Sequence, residues 1–300
     1  MARIVLKVDV DTLRGTREGV PALARLLDAA DARATFLFSL GPDHTGWALR
    51  RVFRPGFLKK VSRTSVLEHY GLRTLMYGVL LPAPDISRRA AAEMRAIAAD
   101  GFETGIHTWD HVYWQDNVRH RDRAWTETQL GRAHARFQEI FGHAPATHGA
   151  AGWQANAFAF AQIDAWGMRY ASDGRGRAPY RPSLDGRPCA HIQMPTTLPT
   201  FDELIGVDGV TPQTVPEALL SRTAAAPEQD QVFTLHAELE GQKLAPAFAR
   251  LLDGWRAQGH ELVSMADYHA TLDPASLPVY PFAWGEIPGR SGQLIVQPAA

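Results

Sequence analysis

The stretch Lys7-Val8-Asp9-Val10-Asp11 ends an apolar run with two carboxylates. Two positions apart on a strand, they share a face. Like charges there repel unless a cation lies between them or one of them keeps a proton. The plainer alternative is that the strand stops at Asp9 and the acids cap a turn or the next helix. A second group is His107-Thr108-Trp109-Asp110-His111. If a helical turn begins there, the i, i+4 spacing puts both imidazoles on one side, as in a metal-ligand pair, although each could equally be an ordinary hydrogen-bonded histidine. A third is His236, which ends the apolar run "VFTLH".

These groups must be carried by something that brings distant strand ends together. Strand-like runs ("RIVLKVD", "ATFLFSLG", "FETGIHTW", "ATHGAA", "YASD", "HIQMP", "QVFTLHAEL", "ELVSMADY") alternate with helix-like runs ("VPALARLLDAAD", "ISRRAAAEMRAIAADG", "WTETQLGRAHARFQEIFG", "NAFAFAQIDAWG", "VPEALLSRTAAA", "LAPAFARLLDGWRAQG"). That order predicts an α/β fold, a β/α barrel whose reactive groups gather at the carboxyl ends of the strands. Asp9, Asp11, His107, His111 and His236 then open on one rim. Two histidines and one aspartate make a three-ligand site with a position left for water. From Thr271 onward the chain reads as an irregular tail with a last strand at "GQLIVQ".

With 300 residues, 45% of them hydrophobic, and a net charge of −1, the chain has material for a large core and no overall basic character to suggest nucleic acid. The single cysteine, Cys189, excludes an internal disulfide and is compatible with a reducing compartment. No signal-peptide pattern and no run of ~20 apolar residues is seen, so a cytoplasmic location is expected. Residues 44–82 break the rhythm with seven basic residues (Arg50, Arg51, Arg54, Lys59, Lys60, Arg63, Arg73) against Glu68 alone. Leu49, Val52 and Phe53, then Phe57, Leu58 and Val61, then Leu72, Leu75, Met76, Val79 and Leu80 have amphipathic helical spacing. The expectation is a basic amphipathic helical insertion that either lies on a membrane surface or packs on its own barrel.

Taken together, "DxD" at Asp9 and Asp11, "HxxxH" at His107 and His111, and "LxH" at His236 resemble the NodB-type polysaccharide deacetylase superfamily of carbohydrate esterases. The resemblance spans the whole chain and implies a distorted (β/α) barrel in a single domain, 1–300, with the insertion 44–82 inside it. Within the superfamily, "KVDVDTLRGTREGVPALARLLD", "GIHTWDHVYWQD", "HGAAGWQAN", "PTTLPTFDELIG" and "FTLHAELEG" are similar to enzymes that deformylate 4-deoxy-4-formamido-L-arabinose on undecaprenyl phosphate, for aminoarabinose modification of lipid A and polymyxin resistance. The resemblance implies Asp9 as general base, Asp11, His107 and His111 as ligands of a divalent metal, and His236 as general acid. Zn²⁺ suits the donors, and Co²⁺, Ni²⁺ or Mn²⁺ would fit the same set. It also implies a lipid-linked sugar substrate and peripheral attachment to the inner membrane through 44–82, with no obligate protein partner. One departure stands out. Where many members carry an arginine-containing loop that steadies the base, this chain has His148-Gly149-Ala150-Ala151-Gly152-Trp153, and Arg175 is the candidate substitute. Gly149, Trp153, Asp173 and Arg175 are candidate substrate contacts, with a backbone N–H of 149–152 as a donor to the oxyanion. The rival readings are a deacetylase of another N-acylated sugar and a non-catalytic metal- or sugar-binding barrel.

Overall fold

The computed structural model describes residues 2–48, 71–290 and 292–299. Its main sheet is made of β1 (Arg3–Val10), β2 (Thr35–Ser39), β3 (Glu103–Thr108), β4 (Thr147–His148), β5 (Tyr170–Ala171), β8 (Ile192–Gln193), β9 (Gln231–His236) and β10 (Glu261–Val263). Every pairing within it is parallel, in the order β10-β1-β2-β3-β4-β5-β8, with β9 along β1. Lys7 pairs with both Thr35 and Thr234, so β2 and β9 lie on opposite edges of β1. Between β8 and β9 the ring is bridged by a loop: the N–H groups of Thr197 and Leu198 donate to the Val232 carbonyl. The result is the curled parallel sheet with outer helices that the alternation implies.

The two faces of β1 explain the rest. Ile4, Leu6, Val8 and Val10 point outward into the large apolar core shared with Leu23, Leu27, Met94, Ile97 and Phe137 of the surrounding helices. These helices are α1 (Val20–Ala29), α3 (Ile86–Ala99) and α5 (Arg123–Phe141). The other face looks into the barrel. Val5 packs there with Ile192, Met194, Val232 and Met265, which plug the lower end. Lys7 and then Asp9 follow above, both buried. The interior thus passes from apolar to charged toward the carboxyl ends of the strands, and the apolar plug below fixes where the polar site begins.

Some sequence expectations are corrected. A hairpin, β6 (Arg181–Leu184) and β7 (Arg187–Pro188), turns at Asp185-Gly186, and β6 also pairs with β11 (Val279–Pro281). Both residues of that turn have positive φ, 49° and 77°, a signal present in the sequence but not read as a hairpin. The last strand narrows to β13 (Leu294–Ile295), paired with β12 (Trp284–Gly285). In the insertion, helix α2 (Leu72–Met76) stops before Val79 and Leu80, because Gly78 turns the chain with φ 77°. Val79 and Leu80, beyond the helix, and Leu72, at its start, are exposed, while Leu75 is buried. The expected helical faces around Leu49 to Val61, and every insertion cation except Arg73, lie outside the described residues.

Candidate active site

β1 does not end at Asp9. It runs to Val10, and the bare N–H groups that follow are taken up by a side chain from the far end of the sequence: Glu238 Oε1 accepts from Asp11 N at 3.0 Å, Thr12 N at 2.9 Å and Thr12 Oγ1 at 2.9 Å. The acids are therefore not caps. Gly15 and Gly19, in a π-helical turn over Gly15–Gly19, let that segment lie against 237–241. A Cβ at Gly19 would stand 2.0 Å from the Ala237 carbonyl oxygen.

His107 sits in β3 and His111 is the first residue of α4 (His111–Asn117). Their pairing comes from a strand-to-helix turn, not from one helix. Asp110 caps α4 by accepting from Tyr113 N at 3.1 Å, and His44 Nδ1 meets its other oxygen at 2.6 Å. The imidazole centroids of His107 and His111 lie 5.3 Å apart. Asp11 spans them, with Oδ1 at 3.2 Å from His107 Nε2 and Oδ2 at 3.4 Å from His111 Nε2. One ligand atom from each of the three lies within 4.8 Å of the others.

The chemistry of these donors fits a cation. His107 Nδ1 donates to the Gly149 carbonyl at 2.6 Å, so in the neutral ring the lone pair is on Nε2, turned toward Asp11. Asp11 Oδ1 is buried and accepts no hydrogen bond. Against the cost of burial, the Asp11 carboxylate raises the affinity of this imidazole for a positive charge, which a proton or a metal ion held between the two can supply. The protein's own charges lean the same way. Burial pushes Asp11 upward, but His111, His107 and His236 outweigh it and hold its carboxyl well below the usual range. Burial, joined by the negative charge of Asp11, pushes Glu238 well above its ordinary value.

Asp9 stands just outside this trio. Its Oδ1 is 3.8 Å from His107 Nδ1 and accepts no hydrogen bond, while its Oδ2 is 3.3 Å from the ammonium of Lys7. His236 is the register partner of Asp9 across β1 and β9. Its N–H donates to Glu240 Oε2 at 2.8 Å, and its Nδ1 is buried without a hydrogen bond. Burial raises Glu240 to about 7.

The remaining sequence candidates behave differently. Gly149 acts through its backbone, as the acceptor for His107, and a Cβ there would stand 2.3 Å from Leu37 Cδ1. Asp173 is fully buried, accepting from His148 Nδ1 at 2.6 Å, Ala150 N at 2.9 Å and Gln193 Nε2 at 2.7 Å, so it anchors the 148–150 loop and presents no face to a substrate. With Gly149 N bonded to Ile106 O and Ala150 N to Asp173, the choice of an oxyanion donor in that loop narrows to Ala151 and Gly152. Trp153 is buried, with its ring centre 4.9 Å from the Arg175 guanidinium and 4.5 Å from that of Arg290. Arg175 does not replace the missing arginine. It bonds Glu203 Oε1 at 2.6 Å and the Thr196 and Leu198 carbonyls, away from Asp9. The residues sequence reasoning missed are Lys7, Glu238 and Glu240. Lys7 had a legible signal, a charge on the same strand face as Asp9 inside an apolar run. A second cluster, Asp164, Cys189 and His191, lies at the amino end of β8, where Asp164 Oδ1 is already occupied by the His191 ring and two backbone N–H groups.

Residues 3–171 match the family model described as polysaccharide deacetylase. Over 296 residues, 98% of this chain and 94% of the relative, the chain is 33% identical to the probable 4-deoxy-4-formamido-L-arabinose-phosphoundecaprenol deformylase of Shewanella sediminis. It is 29% identical to the Wigglesworthia glossinidia brevipalpis protein of the same name, over 94% of this chain and 98% of that one. Among solved structures, a probable polysaccharide deacetylase from Pseudomonas aeruginosa PAO1 superimposes with a TM-score of 0.59 at 16% identity, covering 90% of each chain. PuuE allantoinase gives 0.59 at 18% identity, covering 90% of this chain and 91% of that one, a likeness of fold. With more than half its length matched by the family model, and its aspartates and histidines gathered at the strand ends, this chain belongs to the polysaccharide deacetylase family.

Proposed function

We propose that this protein is a metal-dependent amide hydrolase that removes the formyl group from 4-deoxy-4-formamido-L-arabinose carried on undecaprenyl phosphate, in the aminoarabinose modification of lipid A. The observation that carries the chemistry is the Asp11, His107 and His111 trio, with ligand atoms within 4.8 Å of one another and a buried Asp9 carboxylate beside it. The substrate reading is supported by near-full-length similarity to two relatives bearing the deformylase name.

A divalent ion held by these three residues, with Zn²⁺ best suited to the donors, would acidify a water and polarise the formyl carbonyl. Asp9 takes the proton of the attacking water through Oδ1, its oxygen without a hydrogen bond. His236, beside Asp9 on the next strand, gives a proton to the departing amine. The Gly149 carbonyl keeps His107 in the tautomer that offers Nε2.

The lipid tail sets the location of the reaction. No helix among the described residues is long and apolar enough to cross a membrane, and the proposed encounter with the lipid-linked substrate is at the bilayer surface. Leu72, Val79 and Leu80, exposed at the edge of the basic insertion, supply apolar area for that contact, and the insertion's lysines and arginines supply attraction to anionic lipid. The deciding experiment is mass spectrometry of the lipid-linked formamido sugar after incubation with metal-loaded protein. Release of formate is the expected result. Activity on acetylated sugars alone would replace the substrate, and metal binding without either activity would overturn the enzyme reading.

A further inference from the structure

Lys7 is fully buried inside the barrel, two residues before Asp9 on the same face of β1. Its Nζ lies 3.3 Å from Asp9 Oδ2, donates to the Ser172 carbonyl at 3.2 Å, and stands 5.6 Å from the centre of the Trp153 ring. We infer that Lys7 is a positioning residue for the reaction: its ammonium ties down Asp9 Oδ2 and thereby aims Oδ1 at the attacking water. The inference rests on the reading of Asp9 as the base.

The surroundings argue against a merely structural lysine. An ammonium taken out of water is costly, and only a counter-charge with good geometry offsets the cost. The neighbouring inward position, Val5, shows that the barrel accepts an aliphatic side chain on this face. The cation is placed so that one carboxylate oxygen is held and the other is left without a hydrogen bond on the side of His107. A counter-charge at one oxygen biases the carboxylate toward one orientation, and a base held so loses less freedom on reaching the transition state. Gly149 contributes to this placement, because a Cβ there would stand 3.0 Å from Lys7 Cε and crowd the chain that carries the ammonium. Arg175 is committed to Glu203, so Lys7 is the cation that the structure sets against Asp9.

The test is a double-mutant cycle on the full-length, metal-loaded protein, using Lys7→Gln, Asp9→Asn and the pair. Glutamine can still donate to the Ser172 carbonyl but carries no charge. The expected result is a fall in kcat of about 10- to 100-fold for Lys7→Gln, with KM and bound metal within twofold of the parent. In the Asp9→Asn background the same substitution should cost less than twofold, because the group it acts through is gone. Lys7→Arg, which keeps the cation, should recover part of the rate. If Lys7→Gln does not fold, Lys7→Met, similar in volume, carries the same cycle. An equal cost in both backgrounds, or an unchanged kcat, overturns the role of Lys7. If Asp9→Asn itself leaves turnover intact, it is the assignment of the base that fails.

Discussion

Asp9 and His236 are Cα register partners across the parallel pair β1 and β9, so their side chains leave the sheet on the same face. One is a buried carboxylate with an oxygen bearing no hydrogen bond, and the other an imidazole whose Nδ1 has none. The proposed base and the proposed acid are thereby held next to each other by backbone pairing and not by a flexible loop. The division of labour in the proposed reaction follows from this relationship.

The two aspartates should fail in different ways. Asp9→Asn is expected to keep its metal and retain only a small residual turnover, while Asp11→Asn, His107→Ala or His111→Ala should lose metal and turnover together. Metal analysis of the purified variants beside an activity assay checks this. A metal-free Asp9→Asn alongside a metal-replete Asp11→Asn would reverse the two assignments.

For His236→Ala, the expected loss is roughly 10²- to 10⁴-fold in kcat, with substrate affinity changed far less. Single-turnover rates on bound substrate separate the two quantities. A loss confined to affinity would make His236 a substrate contact.

Glu240 gives a stability signature. Burial raises its carboxyl from 4.5 to about 7, so the folded chain holds a proton that the unfolded chain has released between those values. The stabilisation is complete below the unfolded pKa and is lost as pH rises through about 7. Glu240→Gln keeps an acceptor for the His236 N–H and cannot ionise. Its Tm should match that of the parent near pH 4 and exceed it near pH 8, where the variant is more stable by about 3 kcal/mol. Thermal melts at a series of pH values measure the difference, and parallel curves would contradict it.

At the membrane, Leu72→Glu with Leu80→Glu removes exposed apolar area without touching the core. Sedimentation with anionic vesicles should show weakened binding, and deformylation of the lipid-linked sugar should slow while a short-chain soluble analogue is still processed. Equal sedimentation of parent and variant would place the membrane contact elsewhere. Replacing Arg50, Arg51, Lys59 and Lys60 with Glu tests the electrostatic part, at about 1 kcal/mol per charge near an anionic leaflet.

Legible in the sequence were the alternation of the main strands and helices and the residues proposed as metal ligands. Both are local: alternation reports which element forms, and a strand's carboxyl end reports where its side chains emerge. Asp9, Asp11, His107, His111 and His236 could therefore be set on one rim before any coordinates. The tertiary structure alone decided what holds them there. Asp11 N and Glu238 are 227 residues apart, Ala150 N and Asp173 are 23 apart, and Lys7 and the Ser172 carbonyl are 165 apart. No local pattern encodes such pairs, because they depend on which strands become neighbours and on how far the barrel interior stays apolar before the charges begin. The same reason gave Arg175 and Asp173, expected as substrate contacts, the buried partners they have. Their types suit a ligand, but a buried charge is claimed first by the nearest partner able to offset its desolvation, and here those partners are Glu203 and His148.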